Sequence, residues 1–83
     1  METMVLWCVY DRVSGVYSYP LCAINKDVAE RDFLSYASKS PFVDDIELYI
    51  VGEFNQQTGE VVGYDKPLFV RKAFRTSNCE VNA

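Results

Sequence analysis

Few side chains in this sequence are equipped for chemistry, and those that are belong to two sets. Trp7, Tyr17, Tyr19 and Tyr49 recur within stretches rich in strand-forming residues. Lys66, Arg71, Lys72 and Arg75 fall within ten positions of one another, interleaved with Phe69 and Phe74, and are half of the chain's eight basic residues. Rings gathered on one sheet face beside cations suit the stacking of unpaired bases and the neutralising of phosphates. The same rings packed together make a core or a homodimer interface. The same cations on an edge strand discourage sheet-to-sheet pairing. Both readings of each set stand at this stage.

Other chemistries lack their parts. The chain has no histidine, and Cys8, Cys22 and Cys79 are widely spaced with no Cys-x-x-Cys, so a structural zinc site has no ligand set. A catalytic cysteine would have no histidine as its base. There is no nucleophile–base pair and no glycine-rich phosphate loop. The run Asp44-Asp45 with Glu47 is a possible divalent-ion ligand set, but such clusters are more often solvated loops. The expectation is a non-enzymatic protein with no cofactor, no metal and three reduced thiols.

The elements that would position these side chains follow from turn chemistry. Asp11-Arg12-Val13-Ser14-Gly15 and Asn55-Gln56-Gln57-Thr58-Gly59 share the pattern [Asp/Asn]-x-x-[Ser/Thr]-Gly with an aromatic residue just ahead. Asp11 or Asn55 opens the turn by accepting a backbone N–H two residues on, and Gly15 or Gly59 takes the positive φ that closes it. Two hairpins flanking one helix are therefore expected. The first strand, Met4 to Tyr10, is apolar on both faces and should lie inside the sheet. Its partner runs from Val16 to Cys22, with Pro20 marking an edge. With Tyr10 facing Val16, Trp7 falls opposite Tyr19 and Val9 opposite Tyr17.

A helix capped by Asn25 or Asp27 runs to about Ser38, with Ala29, Phe33, Tyr36 and Ala37 on one stripe. Pro41 ends it through its effect on Ser40. Ile46 to Phe54 alternates, with Ile46, Leu48, Ile50 and Phe54 on the face toward the helix. Glu60 to Tyr64 is a fourth strand, and Leu68 to Val70 is a short edge strand or coil. The fold class is α+β, β-β-α-β-β: a four-stranded antiparallel sheet of order 2-1-3-4 with one helix on one face. Residues 1–75 form a single domain and residues 76–83 a flexible polar tail. The face away from the helix should carry Trp7, Val9, Tyr17, Tyr19, Tyr49 and Val51 uncovered, and such patches usually mean a partner.

With 83 residues and a net charge of −4, this is one small acidic domain, poorly suited to indiscriminate attraction to nucleic acid. No stretch approaches the roughly 20 apolar residues of a membrane span. The first residues lack the basic-then-apolar pattern of a signal peptide, so a cytoplasmic protein is expected.

Several blocks in order carry a family resemblance. They are the run from Val9 to Pro20, Ala23-Ile24-Asn25, the helix face Ala29-x-Arg31-Asp32-Phe33, Leu48-Tyr49-x-x-Gly52-Glu53-Phe54-Asn55, and Thr58-Gly59-Glu60. Over about residues 5 to 62 the chain resembles the small nonstructural protein of gokushovirus-type microviruses, phages with circular single-stranded DNA genomes. The resemblance implies a non-enzymatic early phage protein acting in the host cytoplasm, in genome replication or maturation. It brings no established binding residues. Two classes of partner follow from residues and resemblance together. One is single-stranded DNA or the replication complex, held by Trp7, Tyr17, Tyr19 and Tyr49 with Lys66, Arg71, Lys72 and Arg75. The other is protein: a second copy in a homodimer, or a viral or host replication protein.

Overall fold

The computed structural model describes residues 3–74. The chain runs β1 (Thr3–Asp11), β2 (Val16–Tyr17), β3 (Leu21–Ala23), α1 (Lys26–Ser38), a 3-10 turn (Val43–Asp45), β4 (Ile46–Asn55) and β5 (Val61–Lys72). All pairings are antiparallel, in the order β2-β1-β4-β5, with β3 also pairing β1 on the edge that β2 occupies. This is the expected α+β class. The expected second strand is two short pieces, and the fourth strand reaches Lys72 as one element. Arg75, Cys79 and the tail 76–83 lie outside the described residues.

The two similar turns close in the same way. Gly15 N–H donates to Asp11 O and Gly59 N–H to Asn55 O, each at 2.8 Å. The Asp11 and Asn55 side chains accept from Val13 N–H and Gln57 N–H, each at 2.9 Å. Gly15 and Gly59 sit at φ +76° and +78°, where an L side chain is strained.

Asn25 caps α1, its Oδ1 accepting from Val28 N–H at 2.9 Å, and Asp27 falls in the first turn. Ala29, Phe33 and Ala37 are fully buried, whereas Tyr36, expected on the same stripe, is half exposed. Small residues at two of three contact positions let the helix lie close to the sheet. Phe33, Leu48, Val43, Ile46 and Ile50 fill the space between, so the face of β4 assigned to the helix is the one that meets it. Among the described residues, no helix is long and apolar enough to cross a membrane.

The register of the first hairpin differs from expectation by one residue. Asp11 itself pairs with Val16, so Tyr10 lies opposite Tyr17 rather than opposite Val16. Since the side-chain period of a strand is two, a one-residue slip exchanges the faces. The hairpin is then interrupted at Ser18-Tyr19-Pro20. Ser18 Oγ accepts from Val9 N–H at 3.0 Å in place of a regular ladder bond. Pairing resumes with Leu21 opposite Trp7.

A bulge at Val51 changes faces again within β4. Trp7 pairs with Ile50 but Leu6 pairs with Gly52. Phe54, expected on the helix side, therefore lies opposite Met4 on the other face. Gly52 is required there, because a Cβ at this position would collide with the Val62 carbonyl oxygen of β5. Beyond that contact, Tyr64 to Pro67 of β5 face a single residue of β4, Val51, before pairing resumes at Leu68.

Candidate binding face

The face turned away from α1 holds a row of four rings, built by direct and diagonal cross-strand neighbours. Tyr17 of β2 lies opposite Tyr10 of β1, and Tyr49 of β4 lies opposite Cys8 of β1 and Phe69 of β5. Ring centroids are 4.6 Å apart for Tyr10–Tyr17, 5.4 Å for Tyr17–Tyr49, 5.8 Å for Tyr10–Tyr49 and 5.5 Å for Tyr49–Phe69. The three contacts of Tyr49 are edge-to-face, the arrangement that ring quadrupoles favour. Tyr10 and Tyr49 are half-buried and form the frame. The rings at the ends of the row, Tyr17 at 43 % and Phe69 at 50 %, are the exposed ones.

The middle of the row is tied to a polar network. Tyr49 Oη donates to Glu47 Oε1 at 3.2 Å, and Glu47 is buried. Arg12 reaches back from the first turn, with Nη2 donating to Asp45 Oδ1 at 3.2 Å and to the Asp44 carbonyl at 2.9 Å. Its Nε lies 3.8 Å from Glu47 Oε2. Asp45 and Glu47 are thus engaged by Arg12, and among the described residues no group of acidic, histidine or cysteine side chains is arranged to hold a metal ion. Burial raises the Tyr49 phenol above its ordinary pKa, and the bond to Glu47 and that carboxylate's charge act in the same direction. The Cys8 thiol, also buried, is raised by desolvation alone.

The basic residues gather at the β5 side. Lys72 is exposed and lies opposite Glu47. The Arg71 guanidinium sits over the Phe74 ring, 4.9 Å from its centroid. Lys66 is exposed on the Tyr64–Pro67 excursion of β5.

The expected set is therefore divided. Tyr17 and Tyr49 share the row. Trp7 does not: it is 4 % exposed and belongs to the core under α1. Val9 also packs against that core, and Val51 is the half-buried bulge residue. Tyr19 projects at the interrupted edge, 79 % exposed, beside a groove on the helix side. The reason is that β1 is apolar on both faces, so its composition carries no sign of which face α1 will cover. Tyr10 and Phe69 complete the row without having been singled out. The signal for Tyr10 was the turn, since pairing Asp11 with Val16 puts Tyr10 beside Tyr17, whereas Phe69 joins through the pairing of β5 with β4.

Trp7 Nε1 is buried without an acceptor among the described residues, and an unmet donor of this kind costs about 1–3 kcal/mol.

Among protein families, the chain matches the one described as phage ORF5 protein, across residues 4–76. No curated protein and no solved structure matches it.

Proposed function

The chain belongs to the phage ORF5 protein family, and on that premise we propose that it is a non-enzymatic nonstructural protein serving viral genome replication or maturation in the host cytoplasm. The sequence blocks from Val9 to Glu60 support placing it with the gokushovirus-type microviruses. Its ligand in this reading is single-stranded DNA. The observation that carries the reading is the ring row on the face the helix leaves open, with Tyr17 and Phe69 exposed at its ends. Tyr10 and Tyr49 hold those end rings in place. Lys72, paired with Glu47 on the face of Tyr49, stands at the β5 side to meet phosphates, which an acidic chain of net charge −4 otherwise repels, whereas Arg71 pairs with Leu48 and so lies on the helix side.

Fluorescence anisotropy of a labelled oligothymidylate tests this at several salt concentrations. Tyr17→Ala and Phe69→Ala should each weaken binding by about 1–3 kcal/mol, the contribution of one stacked base. Lys72→Glu should weaken it for every sequence alike and flatten the salt dependence. Binding that ignores salt, or no binding at low salt, excludes the reading.

The negative net charge favours a second reading, in which the same face meets protein: a second copy, or a viral or host replication protein. Light scattering with and without the oligonucleotide separates the two, because a homodimer doubles the mass before any DNA is added. Tyr17→Ala should then return a monomer.

A further inference from the structure

The helix side of the sheet carries a second feature, which shares only Tyr17 at the sheet edge with the ring row. A groove of about 410 Å³ opens where the β2–β3 edge meets the end of α1. That volume is within the usual range of ligand clefts, roughly 300–1,000 Å³. Trp7, Val9 and Ile46 contribute to it from β1 and β4, Leu21 and Tyr19 from the edge, and Tyr36 and Phe42 from α1 and the segment that follows. Tyr19, Tyr36 and Phe42 are all more than half exposed, so three elements each leave a ring turned to solvent around one hollow.

Three observations identify what fits there. Asp11 is the only charged side chain among the lining residues, and its carboxylate is engaged by the turn amides of Val13 and Ser14. With an acid and no cation, the groove is unsuited to phosphates and suited to an uncharged or basic occupant. The groove also runs along a sheet edge, where the outward main-chain groups of β2 and β3 have no strand beside them among the described residues. An extended peptide pairing there would turn alternate side chains into the groove. The interruption at Ser18-Tyr19-Pro20 restricts pairing to a few residues, which prevents open-ended sheet growth. Finally, Trp7 lines this groove, and its Nε1 finds among the described residues no acceptor of the kind a peptide carbonyl would supply.

We infer that this groove docks a short extended segment of a partner protein, apolar at alternate positions and without acidic residues, with a main-chain carbonyl accepting from Trp7 Nε1. The inference stands apart from DNA binding on the opposite face. Since Nε1 has no exposed surface in the empty groove, docking must rotate a wall side chain, and the indole signal reports that step.

Trp7 is the sole tryptophan, so the protein gives one indole N–H resonance. The full chain, labelled with nitrogen-15, is titrated with the capped peptide acetyl-Leu-Thr-Phe-Thr-Leu-amide. The indole resonance should move downfield and exchange more slowly, and the amides of residues 16–23 should shift with it. Tyr36→Ser and Phe42→Ser, both at exposed positions, should weaken the peptide about tenfold, whereas Phe69→Ala should leave it unchanged. An indole resonance unmoved at millimolar peptide overturns the inference. So does an equal response to acetyl-leucinamide, which would make the occupant a small molecule. A concentration-dependent indole shift with doubled mass and no peptide would assign the groove to a second copy instead.

Discussion

The two faces of this sheet are made from the same strands and differ in almost everything that matters for function. On the covered face, Leu48, Ile50 and Ile46 meet Phe33 and two alanines of α1, and nearly all are sealed. On the open face, rings replace aliphatic chains, Tyr17 and Phe69 remain half exposed, and a buried carboxylate is tied to a tyrosine hydroxyl. The covered face spends its side chains on cohesion, and the open face holds polarisable surface in a fixed arrangement. Aliphatic side chains suit the first task because they pack without polar groups to satisfy. Rings suit the second because their edges lock one another while their faces stay available.

Substitutions should separate the two faces sharply. The largest effect is expected at the covered face, where Leu48→Ala should destabilise by about 2–5 kcal/mol through the cavity it leaves. Chemical denaturation measures this, and Tyr17→Ala, acting on binding, should cost less than about 1 kcal/mol of stability in the same assay. Equal losses from the two variants would mean that the open face is core. Next comes Gly52→Ala at the bulge between β4 and β5, where the added methyl meets the Val62 carbonyl. The expected loss is about 1–3 kcal/mol, with the backbone signals of Val61 to Gly63 shifted. Gly63→Ala, where open space surrounds the added carbon, should cost less stability than Gly52→Ala in the same denaturation assay.

The smallest effect concerns pH. The Tyr49 phenol has its pKa raised in the folded protein, so its neutral form is favoured there. That contribution is complete below the unfolded tyrosine value of about 10 and is lost as pH rises through the higher folded value. Stability should therefore fall on the alkaline side, and in Tyr49→Phe this part of the fall should vanish. Denaturation midpoints compared between about pH 8 and pH 11 reveal the difference, and parallel curves for the two proteins would remove Tyr49 from the account.

Much of the architecture was legible because it is written in local chemistry. Asp11 with Gly15, and Asn55 with Gly59, specify their turns within five residues. Asn25 and Pro41 bracket the helix, and the alternation through Ile46, Leu48 and Ile50 identifies its contact face. The binding face was legible only in part. Tyr17 and Tyr49 were placed on it for their ring chemistry, but Trp7 was placed with them and lies beneath the helix. Register is a long-range property, and Met4 to Tyr10 reads as buried whichever way it faces. Neither the one-residue gain at Ser18-Tyr19-Pro20 nor the bulge at Val51 has a sequence mark as plain as a turn glycine.

By itself the sequence determined the element types, the two glycine-closed turns, the helix limits and the absence of histidine chemistry, since each rests on the conformational preferences or inventory of neighbouring residues. Tertiary structure alone decided which rings face solvent, that Tyr10 and Phe69 join Tyr17 and Tyr49, and that Trp7 lies against the helix-side groove with its N–H unmet among the described residues. In a strand, the face of a side chain depends on the parity of its pairing, and parity is settled by contacts between residues far apart in the chain.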